Sequence, residues 1–203
     1  MAEIHRTTLT PNKLELLTAW LPQQSWYLGD GADGPTKPEL SRAGGFRLDD
    51  PEGEVGIEFA VVLDSAGPEQ VAYLVPMAYR DAPLADAPEE ALIGTAEHGV
   101  LGTRYVYDGA QDPVVTAQLR ALLRGEAIPQ AQSVSDTVDP TVTVQGFGSV
   151  DGAADGAVDR VEIVRVLHPG TPEDEPSLHV AAGWTPADET TARGVFARVQ
   201  GRA

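Results

Sequence analysis

Apolar and polar positions follow two periods along this chain. Behind Thr10-Pro11, Leu14, Leu17 and Leu21 recur at helical spacing, and Pro22 closes the run. Threonine is a good N-cap and proline suits a first helical turn, so the pattern predicts a helix starting at Thr10. The Gly, Asp and Pro content of 29–38 predicts a loop.

From Glu54 the period becomes two. Val55, Ile57 and Phe59 alternate with Gly56, Glu58 and Ala60, residues 64–68 supply turn chemistry, and a second β run covers 70–80. The pair predicts an antiparallel hairpin, with Pro76 implying an edge or a bulge because proline cannot donate to a ladder. Residues 91–98 fit either period, and Arg104 to Tyr107 read as a short strand. Asp112-Pro113 repeats the helix-start device, with Val115, Leu119, Leu122 and Leu123 as the buried stripe and Gly125 as the stop.

Residues 126–140 show no periodicity and are rich in Gln, Ser, Asp and Pro, which predicts an internal linker. Strand-like runs follow at 141–147, 160–168, 178–184 and 194–199. The sum is an α+β fold: a mainly antiparallel sheet with two or more flanking helices. One domain over 1–203 is expected, with 1–125 as its core segment. Residues 141–203 are expected to complete the sheet, since three or four strands alone would struggle to cover both faces.

Composition narrows the function classes. With 42% apolar and 22% charged residues the chain is globular in type, and it lacks the roughly 18 consecutive apolar residues of a membrane-spanning helix. Met1 to Thr10 has no apolar core of a secretory signal, so a cytoplasmic location is expected. A formal charge of −17 repels polyanions and argues against nucleic acid. The absence of cysteine excludes disulfides, thiolate metal sites and cysteine nucleophiles. All basic residues except Lys13 and Lys37 are arginine, which together with abundant Ala, Gly, Asp and Val is the composition of a high-GC genome.

Candidate chemistry is sparse. His168 and His179 flank a loop containing Glu173, Asp174 and Glu175, and a hairpin there would set two imidazoles opposite each other near carboxylates. A one-residue slip in register would separate them, so no metal is assigned. Glu97-His98 with Asp108 could form an acid–base pair only within a cleft, and neighbours on a strand point apart. No Gly-x-Ser-x-Gly elbow occurs, and neither Gly29-Asp30-Gly31 nor 152–156 matches a phosphate loop. Trp20, Trp26, Tyr27 and Trp184 could stack on a sugar ring or fill a core. Trp26 and Tyr27, beside the Gly/Asp loop, are expected to be the exposed pair and are the candidate ligand-binding residues.

The string Leu17-Thr18-Ala19-Trp20-Leu21-Pro22-Gln23-Gln24-Ser25-Trp26-Tyr27-Leu28-Gly29 resembles the opening of bacterial maltokinases and related aminosugar kinases. Tyr73 to Arg80 is similar to the Tyr-x-Val-Pro strand of that family. Ile93-Gly94-Thr95 and Val106-Tyr107-Asp108-Gly109 resemble the later part of the same N-terminal cap, in the same order from Leu14 to Leu123. Ser25 departs from the arginine common there, which removes whatever contact that arginine makes to the rest of a kinase. The resemblance implies a curved antiparallel sheet with flanking helices, preceding an ATP-binding and a catalytic lobe for which this chain is expected to be too short.

Phosphoryl transfer needs a catalytic Asp, magnesium ligands and a phosphate-binding Lys, and no His-Gly-Asp loop or Asp-Phe-Glu-like motif occurs. The run from Glu162 to Gly170 is similar to the ATP-lobe strand ending in Arg-x-Leu-x-Pro-Gly, and it would put Glu162 in the place of that lysine. A carboxylate there repels ATP. The resemblance therefore implies a non-catalytic cap module without cofactor or metal, acting on a partner protein in glycogen, trehalose or maltose metabolism. An oligosaccharide binder using Trp26 and Tyr27 and a degenerate remnant of an ATP-dependent sugar kinase are the alternatives. Pairing of sheet edges into a homo-oligomer stays open.

Overall fold

Two long strands with opposite faces both buried organise the fold. The computed structural model describes residues 9–31, 34–35, 37–134, 136–146, 160–186 and 190–200. Its first half runs β1 (Leu9–Thr10), α1 (Lys13–Trp20), β2 (Asp30–Gly31), β3 (Gly34–Pro35), β4 (Leu40–Leu48), β5 (Gly56–Asp64), β6 (Val71–Arg80), β7 (Leu92–His98) and β8 (Gly102–Asp108). The second half runs α2 (Pro113–Leu123), β9 (Gln130–Ala131), β10 (Thr143–Gln145), β11 (Val161–Ile163), β12 (Val166–Leu167), β13 (His179–Trp184) and β14 (Ala192–Val199). The fold is α+β, and every strand pair among the described residues is antiparallel. Of the stretches singled out in the sequence, residues 1–8, 32, 33, 36, 135 and 147 and the glycine run 152–156 lie outside the described residues.

β5 and β6 pair without a slip from Gly56↔Tyr79 to Asp64↔Val71, as their alternation predicts. Ile57, Phe59, Val61, Leu63, Ala72, Leu74 and Ala78 point to one face, whereas Ala60, Val62, Tyr73, Val75 and Met77 point to the other. The period of two thus feeds two cores. On the first face Phe46 stacks on Phe59 with centroids 4.7 Å apart, and Phe196 and Trp184 complete an aromatic chain. The stripe Val115, Leu119, Leu122 and Leu123 of α2 joins this core. On the second face lie Leu16, Leu17, Trp20 and Leu21 with Tyr27.

The sheet curls because the run 161–167 changes partner halfway. β11 pairs with β14, then Val164 N donates to Phe196 O and Leu74 N donates to Arg165 O, both at 2.9 Å, and β12 pairs with β6. With β13 joining β14 to β4 at Trp184↔Gly44, the hydrogen-bonded path through β4, β5, β6, the 161–167 run, β14 and β13 returns to its start. A bulge between Arg42 and Gly44 bends β4 at this junction. Gly45 has φ +125°, and a Cβ there would lie 2.0 Å from Phe59 O, so only glycine fits.

Three local readings are corrected. α1 is capped by Asn12, whose side chain accepts from Glu15 N at 3.1 Å while Glu15 Oε2 accepts from Asn12 N, a capping box two residues beyond Thr10. Pro22 sits inside a 3₁₀ turn, Leu21–Gln23, that prolongs the helix. Pro76 lies in an inner strand without a bulge, opposite Phe59, and its missing N–H falls where β6 has no second neighbour. β12 pairs only with Ala72 and Tyr73, and β8 begins its pairing at Met77. Of residues 91–98, Ala91 ends a 3₁₀ turn and Leu92–His98 form strand β7. In 126–140, β9 pairs with Phe46 and Arg47 of β4, and Gln130 bridges back to Val138, giving a short ribbon.

Candidate functional site

Trp26 and Tyr27 follow the 3₁₀ turn closely, so the chain lays both rings onto the second face of the sheet. Tyr27 is buried, not exposed as its neighbourhood in sequence suggests. Its hydroxyl donates to Asp64 Oδ2 at 2.7 Å, and its ring lies 5.5 Å from that of Tyr73. Gly29 makes the room, since a Cβ there would fall 2.2 Å from the Tyr27 ring. Asp64 also accepts from Glu39 N and Ala66 N, and Tyr73 Oη accepts from Leu28 N at 3.0 Å. The polar ends of both tyrosines thereby fasten the loop to the sheet. Burial pushes the Tyr73 phenol above its ordinary value.

Trp26 is half-buried. It meets Trp20 edge-on at 5.8 Å and Tyr73 at 6.0 Å, and the Arg165 guanidinium sits over its ring at 4.9 Å from the centroid. Arg165 Nη2 donates to Asp108 Oδ2 at 2.5 Å. Since Leu74 binds the Arg165 carbonyl and Asp108 pairs with Met77, the side chain spans the interval beside Pro76 where β6 has no second strand. Trp20 and Trp184 belong to the two cores.

A second polar cluster is centred on Glu58, which shares the inner face with Ala60 and Val62. It receives Lys13 Nζ, Gln132 Nε2 at 2.5 Å and Tyr79 Oη at 2.9 Å. Burial alone would raise its pKa, but the Lys13 charge and the hydrogen bonds outweigh that and hold it below the ordinary carboxylate value. Burial and the Glu58 charge push the Tyr79 phenol well above its usual range. Every donor is turned inward, so the cluster is a tie between α1, β5, β6 and the 126–140 ribbon.

The remaining candidates are kept apart. His168 is exposed beyond β12, whereas His179 is fully buried on β13, its Nδ1 against Ser177 O and its Nε2 without a hydrogen-bond partner among the described residues. The two imidazoles do not share a hairpin, because β12 pairs with β6 and β13 with β14. His98 pairs with Gly102 at one end of the β7–β8 hairpin and Asp108 lies at the other. Glu162 lies opposite Arg198 on β14 and accepts from its Nε at 2.9 Å. Among the described residues no group of three His, Asp or Glu side chains is placed to hold a metal ion.

A groove of about 160 Å³ opens between α2 and the 161–167 run, lined by Ala110, Thr116, Leu119, Arg120, Val161, Ile163 and Arg165. The sequence offered no signal for it, because its walls come from segments some forty residues apart.

Trp20 and the strands from β4 to β8 all fall within one matched segment. Residues 20–112 match the maltokinase N-terminal cap domain. The resemblance seen in the Trp20, Tyr73 and Asp108 segments is thus shown over a little under half of the chain. No curated protein and no solved structure gives a significant match. The cap segment holds Glu58, Tyr79, Trp26 and Asp108, whereas Lys13, Gln132 and Arg165 lie outside it. The Lys13–Glu58 and Arg165–Asp108 ion pairs therefore fasten the matched segment to its flanking residues, whereas Arg80–Asp112 lies within it. Ser25, where the family commonly has arginine, is exposed.

Proposed function

We propose that this chain is a non-catalytic, maltokinase-cap-like module that acts by binding a partner protein, in the setting of glycogen, trehalose or maltose metabolism. The observation that carries the reading is where the exposed aliphatic side chains lie. Val100 and Leu101 sit at the tip of the β7–β8 hairpin, and Ile128, Val134 and Val138 sit on the 126–140 ribbon, at 45–65% exposure; Leu28 and Leu92 are the other exposed large aliphatics among the described residues. Single exposed aliphatics are ordinary, but groups of them on two hairpins mark surfaces that another protein covers. The cap match supports the non-catalytic part, since the cap of such a kinase is not the part that transfers phosphate.

The test is capture from native lysate with the wild type and with two double variants, Val134→Asp/Val138→Asp and Val100→Asp/Leu101→Asp. A specific protein is expected with the wild type, reduced about tenfold or more by at least one variant, because a charge buried at an interface centre costs roughly 2 kcal/mol or more. Equal retention by all three proteins, or no retained protein together with a thermal shift in maltooligosaccharide, would overturn the proposal in favour of a saccharide ligand.

A further inference from the structure

We infer that His98 is a proton-sensitive clasp on the tip of the β7–β8 hairpin, holding the Val100–Leu101 surface in its binding shape only while the imidazole is neutral. The binding half of this inference rests on the partner-binding reading above; the clasp itself does not. Gly99, Val100 and Leu101 form the loop between β7 and β8, and His98↔Gly102 is the last pair before it. Gly102, at φ +72°, turns the chain back into β8. Across the loop, Leu101 N donates to His98 Nδ1 at 3.1 Å, and Val100 N donates to the same atom at 3.4 Å. The side chains of these same two residues are exposed, Val100 at 65% and Leu101 at 45%.

An imidazole nitrogen accepts a hydrogen bond only while it carries no proton, so both bonds require Nδ1 bare and the ring's one N–H at Nε2. Protonation turns Nδ1 into a donor facing two other donors, and the clasp opens. Histidine is the side chain whose charge changes between about pH 5 and 8, and His98 is half-buried, so its ring is within reach of solvent. Its surroundings set the midpoint. On β8, Arg104 lies two residues along on the same face, and on β1 the residue opposite is the apolar Leu9. Glu97 points to the other face, where its Oε1 accepts from Thr103 Oγ1 at 2.6 Å. α1 meets β7 farther along, with Leu16 against Gly94. His98 makes a further interaction, which moves the pH of proton uptake without changing which atom holds the two amides.

The experiment follows the histidine rings and backbone amides of the whole chain in ¹H–¹⁵N spectra from about pH 8 to about pH 5, for the wild type and for His98→Asn. Asparagine keeps a side-chain acceptor for amides two and three residues on, but it does not titrate. In the wild type the His98 ring is expected in the Nε2–H form at the alkaline end, and the Val100 and Leu101 amides are expected to shift with the ring's own midpoint. In His98→Asn both amides are expected to hold their positions. An Nδ1–H form at the alkaline end, amides that ignore the ring's titration, or the same shifts in His98→Asn would overturn the clasp. Retention of the captured partner at about pH 8 and about pH 5.5 is the second arm. A loss of about fivefold or more on acidification is expected for the wild type and not for His98→Asn, as the release of two hydrogen bonds implies. Equal wild-type retention at both pH values would overturn the gating. Capture of nothing at about pH 8 would overturn the partner reading and the gating with it, while the spectra decide the clasp.

Discussion

Replacing Arg165 by methionine is expected to destabilise the protein by about 3–5 kcal/mol, the usual cost of removing one partner from a buried ion pair. The Arg165 and Asp108 side chains are only 14% and 7% exposed, so water does little to replace the lost charge. Methionine replaces the apolar stem and removes only the guanidinium, so the loss combines the Asp108 pair with the contact over Trp26. Asp108 would be left without its cationic partner on the interval of β6 that Arg165 spans. Urea unfolding gives the measurement, and a loss below about 1 kcal/mol would place the pair among the weak surface bridges. Adding Asp108→Asn is expected to recover most of the loss, since asparagine still accepts from Ala110 N and no buried charge remains.

Glu58→Gln is expected to cost about 3–5 kcal/mol at neutral pH, because it strands the Lys13 ammonium beside Gln132 and Tyr79. It also changes the acid limb of the stability curve in a defined direction. The folded pKa of Glu58 lies below the ordinary 4.5, so the folded state holds its proton less tightly than the unfolded chain does. The contribution of Glu58 is therefore fully present above the unfolded value and is lost as pH falls below about 4.5 through the folded one. Stability measured from pH 7 to 3 is expected to drop more steeply in the wild type than in Glu58→Gln. Parallel curves would show that Glu58 is not the carboxylate that titrates.

How much of this was legible in the sequence follows the range of the interactions. α2 was readable to the residue: Asp112 caps it through Val114 N and Val115 N, its four predicted stripe positions are buried, and Gly125 follows its end at φ +74°. All of those signals lie within fifteen residues. The β5–β6 hairpin was readable for the same reason. The start of α1 was missed although Asn12 and Glu15 stand three apart, because Thr10-Pro11 offered a competing start.

The candidate site was less legible. Tyr27 stands beside a Gly/Asp loop, and a flexible neighbour suggests exposure, but its hydroxyl finds Asp64, which lies beyond β4 in sequence, and that bond carries the ring inward. Arg165 was visible only as the arginine of the Arg-x-Leu-x-Pro-Gly run, and nothing there placed its side chain, since the interval it spans exists only after the 161–167 run has shifted from β14 to β6. Glu58 was visible as an inward position of an alternating strand, yet its partners come from α1 and the 126–140 ribbon. Long-range closure thus decided what pattern and spacing left undetermined.

The claim that this module works through its exposed hairpins is tested most directly by amide hydrogen exchange of the chain alone and in complex with the captured protein. The account predicts that slowed exchange on binding falls within 98–103 and 128–139. Slowed exchange confined to 24–29 and the strand around Tyr73, with those two hairpins unchanged, would contradict it.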